Sequence, residues 1–100
     1  MVIAEVSVIP VGTKTPSVSE YVAKAIKTIR QQESVKYQLT AMGTLLEGEL
    51  SDVLELTKVI HLSVFDEEVK RVVTSIKIDD RRDKISTIDY KVQSVMKKLA

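Results

Sequence analysis

The sequence predicts an α+β fold made of four β-strands and three α-helices. Four segments alternate apolar and polar residues with the period of a strand, and three repeat apolar residues at the spacing of an amphipathic helix. Only a short turn separates the second strand from the third, which favours an antiparallel hairpin. The order β-α-β-β-α-β-α contains a split βαβ pair. We therefore expect a ferredoxin-like sandwich: a four-stranded antiparallel sheet with two helices on one face, plus a C-terminal helix.

Length and composition fit a single domain spanning residues 1–100. Of the 100 residues, 44% are hydrophobic and 29% are charged, which is typical of a folded soluble protein. The formal net charge of +1 gives no electrostatic footprint for nucleic acid or for an anionic membrane. The chain has no cysteine, which excludes disulfides, thiol catalysis and zinc–thiolate sites and fits a cytoplasmic protein. The apolar start lacks a basic region, so it predicts a strand rather than a signal peptide.

The first strand and the first helix are defined by turn and cap signals. A strand is expected over residues 2–10, ended by Pro10 and Gly12. Ser17 and Glu20 have the spacing of a capping box, so the first helix is expected to begin at Ser17. The apolar stripe of this helix consists of Val18, Tyr21, Val22, Ala25, Ile26 and Ile29.

The middle of the chain predicts a hairpin followed by a helix. Strands are expected over residues 35–40 and 44–49. Ser51 and Asp52 are the expected caps of the second helix, which is expected to close at residues 66–68. The stripe of this helix consists of Val53, Leu56, Ile60 and Val64, with Leu54 and Phe65 in support.

The last part of the chain predicts a strand over residues 71–79 and a final helix from about Ser86. This helix is also amphipathic, so its stripe must be covered by the sheet edge of its own domain or by a partner subunit. The stripe consists of Ile88, Val92, Val95, Met96 and Leu99.

The alternation predicts which side of the sheet each strand residue faces. The side expected to meet the helices carries Val2, Val6, Val8, Val35, Tyr37, Leu39, Val72, Ile76 and Ile78. The opposite side is expected to carry Ile3, Glu5, Ser7, Ile9, Lys36, Gln38, Thr40, Leu45, Glu47, Glu49, Val73, Ser75 and Lys77. A plain solvated face would have fewer Ile, Leu and Val residues. This mixture therefore favours a subunit interface or a small-molecule pocket.

Three further features favour structural interpretations. His61, the only histidine, has no carboxylate or second histidine at metal spacing, which favours a helix-boundary histidine over a catalytic base. Residues 11–15 contain one glycine rather than a phosphate-loop pattern, which favours a capped turn over an anion site. Residues 79–84 alternate in charge, which is typical of a salt-bridged solvated loop, or of one that clasps a neighbouring subunit.

RNA binding and catalysis are both disfavoured. RNA-recognition domains of this topology stack bases on exposed rings, but Tyr37 is expected to face the helices and the other rings fall on helices. An enzyme needs a nucleophile–base pair, and the sequence shows none. Arg81 and Arg82 lie beside aspartates that would repel a phosphate. No metal, cofactor, nucleic acid or membrane partner is expected.

Several motifs, which cover nearly the whole chain, resemble those of the small thiamine-binding-protein family. They are Val8-Ile9-Pro10-Val11-Gly12-Thr13, Pro16-Ser17-Val18-Ser19-Glu20-Tyr21-Val22, Met42-Gly43-Thr44, Glu47-Gly48 and Arg71-Val72-Val73-Thr74-Ser75-Ile76-Lys77-Ile78-Asp79-Asp80-Arg81-Arg82-Asp83-Lys84. The resemblance implies a ferredoxin-like domain that assembles into dimers and tetramers. It also implies binding of thiamine or its hydroxymethylpyrimidine part without turnover. This chain carries one copy of the domain, so a two-copy site has to be built by oligomerisation.

With that ligand implied, a polar cluster on the side of the sheet away from the helices is the expected site. Glu47 is expected to offset the charge of the thiazolium ring or to share a proton with a pyrimidine nitrogen. Ser7, Thr40 and Thr44 are expected near it, and Met42 is expected to supply soft apolar contact. The alternative is that these residues pack a subunit interface, in a structural or regulatory oligomer without a small-molecule ligand.

Overall fold

The computed structural model describes all 100 residues. In chain order the elements are β1 (Val2–Val11), α1 (Ser19–Ile29), β2 (Lys36–Leu39), β3 (Thr44–Gly48), α2 (Leu50–Val64), β4 (Arg71–Asp79) and α3 (Ile88–Leu99). One antiparallel sheet has the strand order β2-β3-β1-β4, and the helices α1 and α2 lie on one of its faces. This architecture confirms the ferredoxin-like α+β prediction.

Strand β1 runs past the proline that was expected to end it. Pro10 lies within the strand opposite Val72 of β4. The pairing of β1 with β3 stops at Val6, so Pro10 has a neighbouring strand on one side only. A missing N–H is tolerated in such a place, which explains why the expectation was wrong. The strand ends before Gly12, whose φ of 84° is readily adopted only by glycine.

The predicted starts of the first two helices were wrong by one to three residues. Helix α1 begins at Ser19 after Val18, with no side-chain cap, while Ser17 is occupied in the preceding turn through its N–H bond to the Thr15 hydroxyl. Helix α2 begins at Leu50, before the serine and aspartate expected to cap it, and it too has no side-chain cap. In both places the helix starts without the side-chain cap that the sequence predicts.

The end of α2 also differs from the prediction. The helix stops at Val64, and the Asp66 carboxylate then accepts 2.8 Å bonds from the N–H groups of Glu68 and Val69. The acidic segment therefore forms the turn after the helix rather than its last turn. Leu54 and Phe65 are 45% and 38% exposed, so the predicted support of the stripe from these two residues was wrong.

The core lies between the sheet and the two helices. Leu46 on β3 and Val53 on α2 are both fully enclosed, and all four predicted stripe residues of α2 are buried. The register pairs Ala4 with Leu46 on one side and with Ile78 on the other, which confirms that the predicted residues share one side of the sheet. At the edges of this side, Leu39 and Ile78 are 54% and 38% exposed, so the helices do not cover every residue expected to meet them. The buried apolar residues of this core are Val2, Ala4, Val6, Ala25, Ile29, Val35, Leu46, Val53, Leu56 and Ile60.

Helix α3 stands apart from this core. None of its residues is buried, and its apolar stripe remains uncovered, with Val95 58% exposed and Leu99 74% exposed. The stripe was expected to be covered either by the sheet edge of its own domain or by a partner subunit. The sheet of its own domain does not cover it. None of the three helices is both long enough and apolar enough to cross a bilayer.

Candidate functional site

The face of the sheet turned away from α1 and α2, called here the open face, has the mixed character that its sequence predicts. Apolar, hydroxyl and charged side chains are mixed on this face, and strand pairing brings them into cross-strand rows. Most of these side chains are half-buried or exposed. From the end nearest α3, its cross-strand rows are Lys36–Glu47–Ile3–Asp79, Gln38–Leu45–Glu5–Lys77, Ser7–Ser75 and Ile9–Val73. Lys36 lies opposite Glu47 but forms no ion pair with it.

The end row contains a buried carboxylate. Glu47 is 7% exposed, and its Oε1 accepts a 2.7 Å hydrogen bond from the backbone N–H of Ile88, the first residue of α3. A helix N-terminus has unsatisfied N–H groups and a partial positive charge, which stabilise an anion placed there. The Thr87 hydroxyl accepts a second such bond, from Tyr90 N–H. Glu47 thus anchors α3 to the open face.

The second oxygen of this carboxylate is free. Glu47 takes part in none of the ion pairs of the protein. No hydrogen bond reaches its Oε2, and no buried side-chain oxygen or nitrogen in the protein lacks a partner. Oε2 therefore keeps contact with solvent, and the Glu47 charge is available to a further donor or cation.

A second tether joins α3 to the same row. Lys91 Nζ lies 2.6 Å from the Asp79 carboxylate, and both side chains are about half exposed, 49% and 48%. An exposed pair of this kind contributes about 0–1 kcal/mol, less than a buried bond to a charged group. Sequence reasoning placed Asp79 at the end of the last strand, in the charged loop, and missed Lys91 and Ile88, since nothing local shows that the last helix returns to the sheet.

The five predicted ligand-binding residues are not all together. Ser7 shares the open face with Glu47, but it is four positions beyond Ile3 on β1, about 13 Å along the strand. Thr44 pairs with the buried Val6 and therefore points to the helix side.

Thr40 and Met42 form the turn between β2 and β3. The Thr40 hydroxyl donates a 2.7 Å bond to the Gly43 carbonyl and accepts a 3.3 Å bond from Met42 N–H. Met42 is 84% exposed at the tip of the turn. A Cβ at Gly43 would lie 2.9 Å from the Val6 carbonyl oxygen, so this turn packs closely against β1. It lies at the Ser7 end of the open face, opposite the end that holds Glu47.

A cavity of about 510 Å³ lies just beyond the Glu47 row, between the start of β1, the start of α2 and the loop after β4. None of the five predicted residues lines it. Its lining is mixed in charge: Met1, Val2, Glu49, Leu50, Asp80, Arg81, Arg82, Lys84, Ile85 and Ser86.

The loop beside this cavity is internally salt-bridged, as the charge alternation predicts. Arg81 donates two bonds to Asp83, at 2.6 and 2.9 Å, and Arg82 donates two to Asp80, at 3.3 and 2.9 Å. The guanidinium partners lower the pKa of both aspartates from its usual range. These arginines are therefore already matched by carboxylates, and the cavity has no strong affinity for anions built into it.

His61 lies on the helix side, away from the open face. Its Nδ1 is 2.6 Å from the Thr74 hydroxyl on β4, and its ring makes an edge contact with Phe65 at 5.4 Å. No group of three or more His, Cys, Asp or Glu side chains is close enough to hold a metal ion. The histidine thus ties α2 to β4 and has no carboxylate to orient it.

Comparison with known proteins shows relatives along almost the whole chain. The UPF0045 protein YqgV of Bacillus subtilis is 50% identical over 102 residues, covering 99% of this chain and 98% of that protein. The crystal structure of MJ1052 from Methanocaldococcus jannaschii superposes with a TM-score of 0.86 at 46% identity, covering 95% of each chain.

A more distant solved structure carries a functional description. TM0486 from Thermotoga maritima, described as a candidate thiamine biosynthesis/salvage protein, superposes with a TM-score of 0.77 at 26% identity, covering 94% of this chain and 97% of that one. The family model described as "Thiamine-binding protein" matches residues 4–96. This chain belongs to the thiamine-binding-protein family.

Proposed function

We propose that this chain is a non-catalytic binding protein for thiamine or its hydroxymethylpyrimidine part, and that it acts as a homo-oligomeric carrier or sensor. Membership of the thiamine-binding-protein family supports the ligand class, since the family model spans residues 4–96. The description of the Thermotoga relative points to the same compound.

The structural observation that carries the proposal is the half-satisfied carboxylate of Glu47. This side chain is buried to all but 7%, no cationic side chain pairs with it, and its Oε2 has no hydrogen-bond partner. A buried carboxylate with a free oxygen favours a cation or an N–H donor placed against it. Thiamine offers both, in its thiazolium ring and its aminopyrimidine.

The surroundings of Glu47 suit a flat ring. Ile3 and Leu45 are half-buried apolar neighbours on the open face, in the same row and in the next one. Ser7 lies two rows from Glu47 on the open face and stays in the proposed site as a hydroxyl for the remote part of the ligand. Thr40 and Met42 join it only if the ligand extends to the turn between β2 and β3. Thr44 faces the other side of the sheet, so we leave it out.

We propose that no turnover occurs at this site. The open face has carboxylates, hydroxyls and two lysines in its rows, but the only histidine of the protein is bonded to Thr74 on the opposite side of the sheet. General acid–base work on a ligand at Glu47 therefore has no imidazole within reach.

The uncovered stripe of α3 supports self-association. Val92, Val95 and Met96 are 52%, 58% and 55% exposed. Covering a contiguous apolar stripe of this kind with another surface removes it from water and is favourable. We propose a second copy of the chain as that cover, because the same uncovered stripe on the second copy makes a self-complementary two-fold interface.

Calorimetric titration of the purified protein with thiamine and with hydroxymethylpyrimidine tests the proposal, with oligomer mass measured in the same buffer. The expected result is saturable binding at a fixed ratio per subunit, to a protein heavier than one chain. Absence of heat from a folded oligomer would support the alternative of a structural or regulatory assembly without a small-molecule ligand.

A further inference from the structure

We infer that ligand binding at Glu47 and docking of α3 onto the open face oppose each other, so that the helix reports whether the site is occupied. The inference rests on the proposed function, because it requires a cationic ligand at Glu47. It concerns the regulation of that site rather than the identity of the ligand.

One carboxylate serves both partners. Its Oε1 holds the first N–H of α3 at 2.7 Å, and its Oε2 is the atom left for the ligand. Glu47 is the only buried charged side chain in the protein. Neither α3 nor the ligand can therefore bind a second buried carboxylate instead. Anything that draws the charge of Glu47 towards Oε2 weakens the bond at Oε1.

The helix has little else to hold it in place. None of its residues is buried, and its other bond to the sheet, from Lys91 to Asp79, joins two half-exposed side chains. Such a bond is weak and screened by salt. Docking of α3 therefore depends on the bond between Glu47 and Ile88 more than on any other contact.

The sign of the coupling follows from the charges. The N-terminus of a helix carries roughly half a positive charge, and a thiazolium ring carries a full one. Two positive centres that share one carboxylate repel each other, so each binds less tightly when the other is present. Because such coupling is reciprocal, releasing α3 must strengthen the binding of the ligand.

A substitution at Ile88 can remove the bond of α3 to Glu47 while leaving the carboxylate free to bind the ligand. Replacing Ile88 by proline removes the N–H that bonds Glu47, and proline is well tolerated at the first position of a helix. The preceding Thr87 has φ −114° and ψ 164°, the extended conformation that a residue before proline prefers. Ile88→Ala is the matched control, because it removes the same side chain and keeps the N–H.

The test is calorimetric titration of both variants with thiamine. The expected result is that Ile88→Pro binds thiamine on the order of tenfold more tightly than Ile88→Ala, within the usual range of coupling between sites. Equal affinities, or weaker binding by the proline variant, would overturn the coupling and leave the proposed function standing. If the parent protein and both variants bind no thiamine, the proposed function fails and the coupling fails with it.

A second measurement on the parent protein does not depend on how the proline variant folds. Hydrogen exchange of the Ile88 amide, followed by NMR, is expected to accelerate when thiamine saturates the protein, because the bond to Glu47 weakens. Slower or unchanged exchange in the saturated protein would overturn the inference.

Discussion

The carboxylate of Glu47 on β3 accepts a 2.7 Å hydrogen bond from the backbone N–H of Ile88, 41 positions further along the chain. This contact links the sheet to a helix that buries none of its own residues. It also leaves a buried negative charge with one free oxygen on the otherwise uncovered face of the sheet. The docking of α3 and the proposed ligand site therefore depend on the same side chain.

Glu47→Ala is expected to loosen α3. The substitution removes a hydrogen bond to a charged group, which is worth about 1.5–3 kcal/mol of docking free energy. Exchange of the Ile88 amide, followed by NMR, should accelerate accordingly. Glu47→Gln is the control, since its amide oxygen still accepts the bond, and it should stay closer to the parent protein. An Ile88 amide that exchanges at the parent rate in Glu47→Ala would show that other contacts hold the helix.

Leu46→Ala is expected to lower the free energy of unfolding by about 2–5 kcal/mol, because it leaves a cavity in a fully enclosed site of the core. Urea denaturation at neutral pH measures the difference. Leu62→Ala on α2 is the matched control, since Leu62 is 57% exposed, and a change within about 0.5 kcal/mol is expected there. Similar losses in the two variants would contradict the placement of the core.

The strand faces were predictable from the sequence, whereas the role of Glu47 was not. The period-two alternation follows burial directly, so the residues predicted to face the helices share one side of the sheet, as the pairing of Ala4 with Leu46 and Ile78 shows. The same alternation placed Glu47 on the open face but gave no sign that it is buried. Its Oε1 is bonded by the first residue of α3, and a contact between residues 41 positions apart leaves no local pattern.

The helix boundaries show a second limit. Ser17 has the right spacing for a capping box, but its N–H is engaged by Thr15 and the helix starts at Ser19. The turn hydroxyl of Thr40 was expected in the ligand site, and it closes the β2–β3 connection through Gly43. Short polar side chains next to a turn can satisfy several backbone partners, and the sequence does not show which one is chosen.

The turn after α2 is expected to make stability depend on pH through Asp66. Bonds from Val69 and Glu68 N–H lower the pKa of this carboxyl below its usual value of 3.8. Its stabilising contribution is therefore complete above that value and is lost as the pH falls through the lowered pKa. Asp66→Ala should reduce the urea midpoint at pH 7 and have less effect in strong acid.

Asp66→Asn serves as the control for this pH dependence, because the amide keeps an acceptor and does not titrate with a carboxyl pKa. The destabilisation in Asp66→Asn should vary less with pH than that in Asp66→Ala. An Asp66→Ala effect of the same size at pH 7 and in strong acid would contradict the assignment.

Val95→Glu is expected to disrupt self-association by placing a charge in the middle of the apolar stripe of α3. Gln93→Glu adds the same charge on the same helix outside that stripe, and it should leave assembly intact. Light scattering coupled to size-exclusion chromatography gives the mass of both. If the mass is unchanged in Val95→Glu, then α3 does not form the interface.

The most direct test of the proposed site compares thiamine binding by Glu47→Gln with binding by Glu49→Gln, using calorimetry. Both variants remove one negative charge from the end of β3, but Glu49 has a 69% exposed side chain and pairs only with the chain terminus. We expect Glu47→Gln to weaken thiamine binding by about tenfold or more, the size of one interaction with a charged group, and Glu49→Gln to bind as the parent does. Parent-like affinity in Glu47→Gln would contradict the central claim.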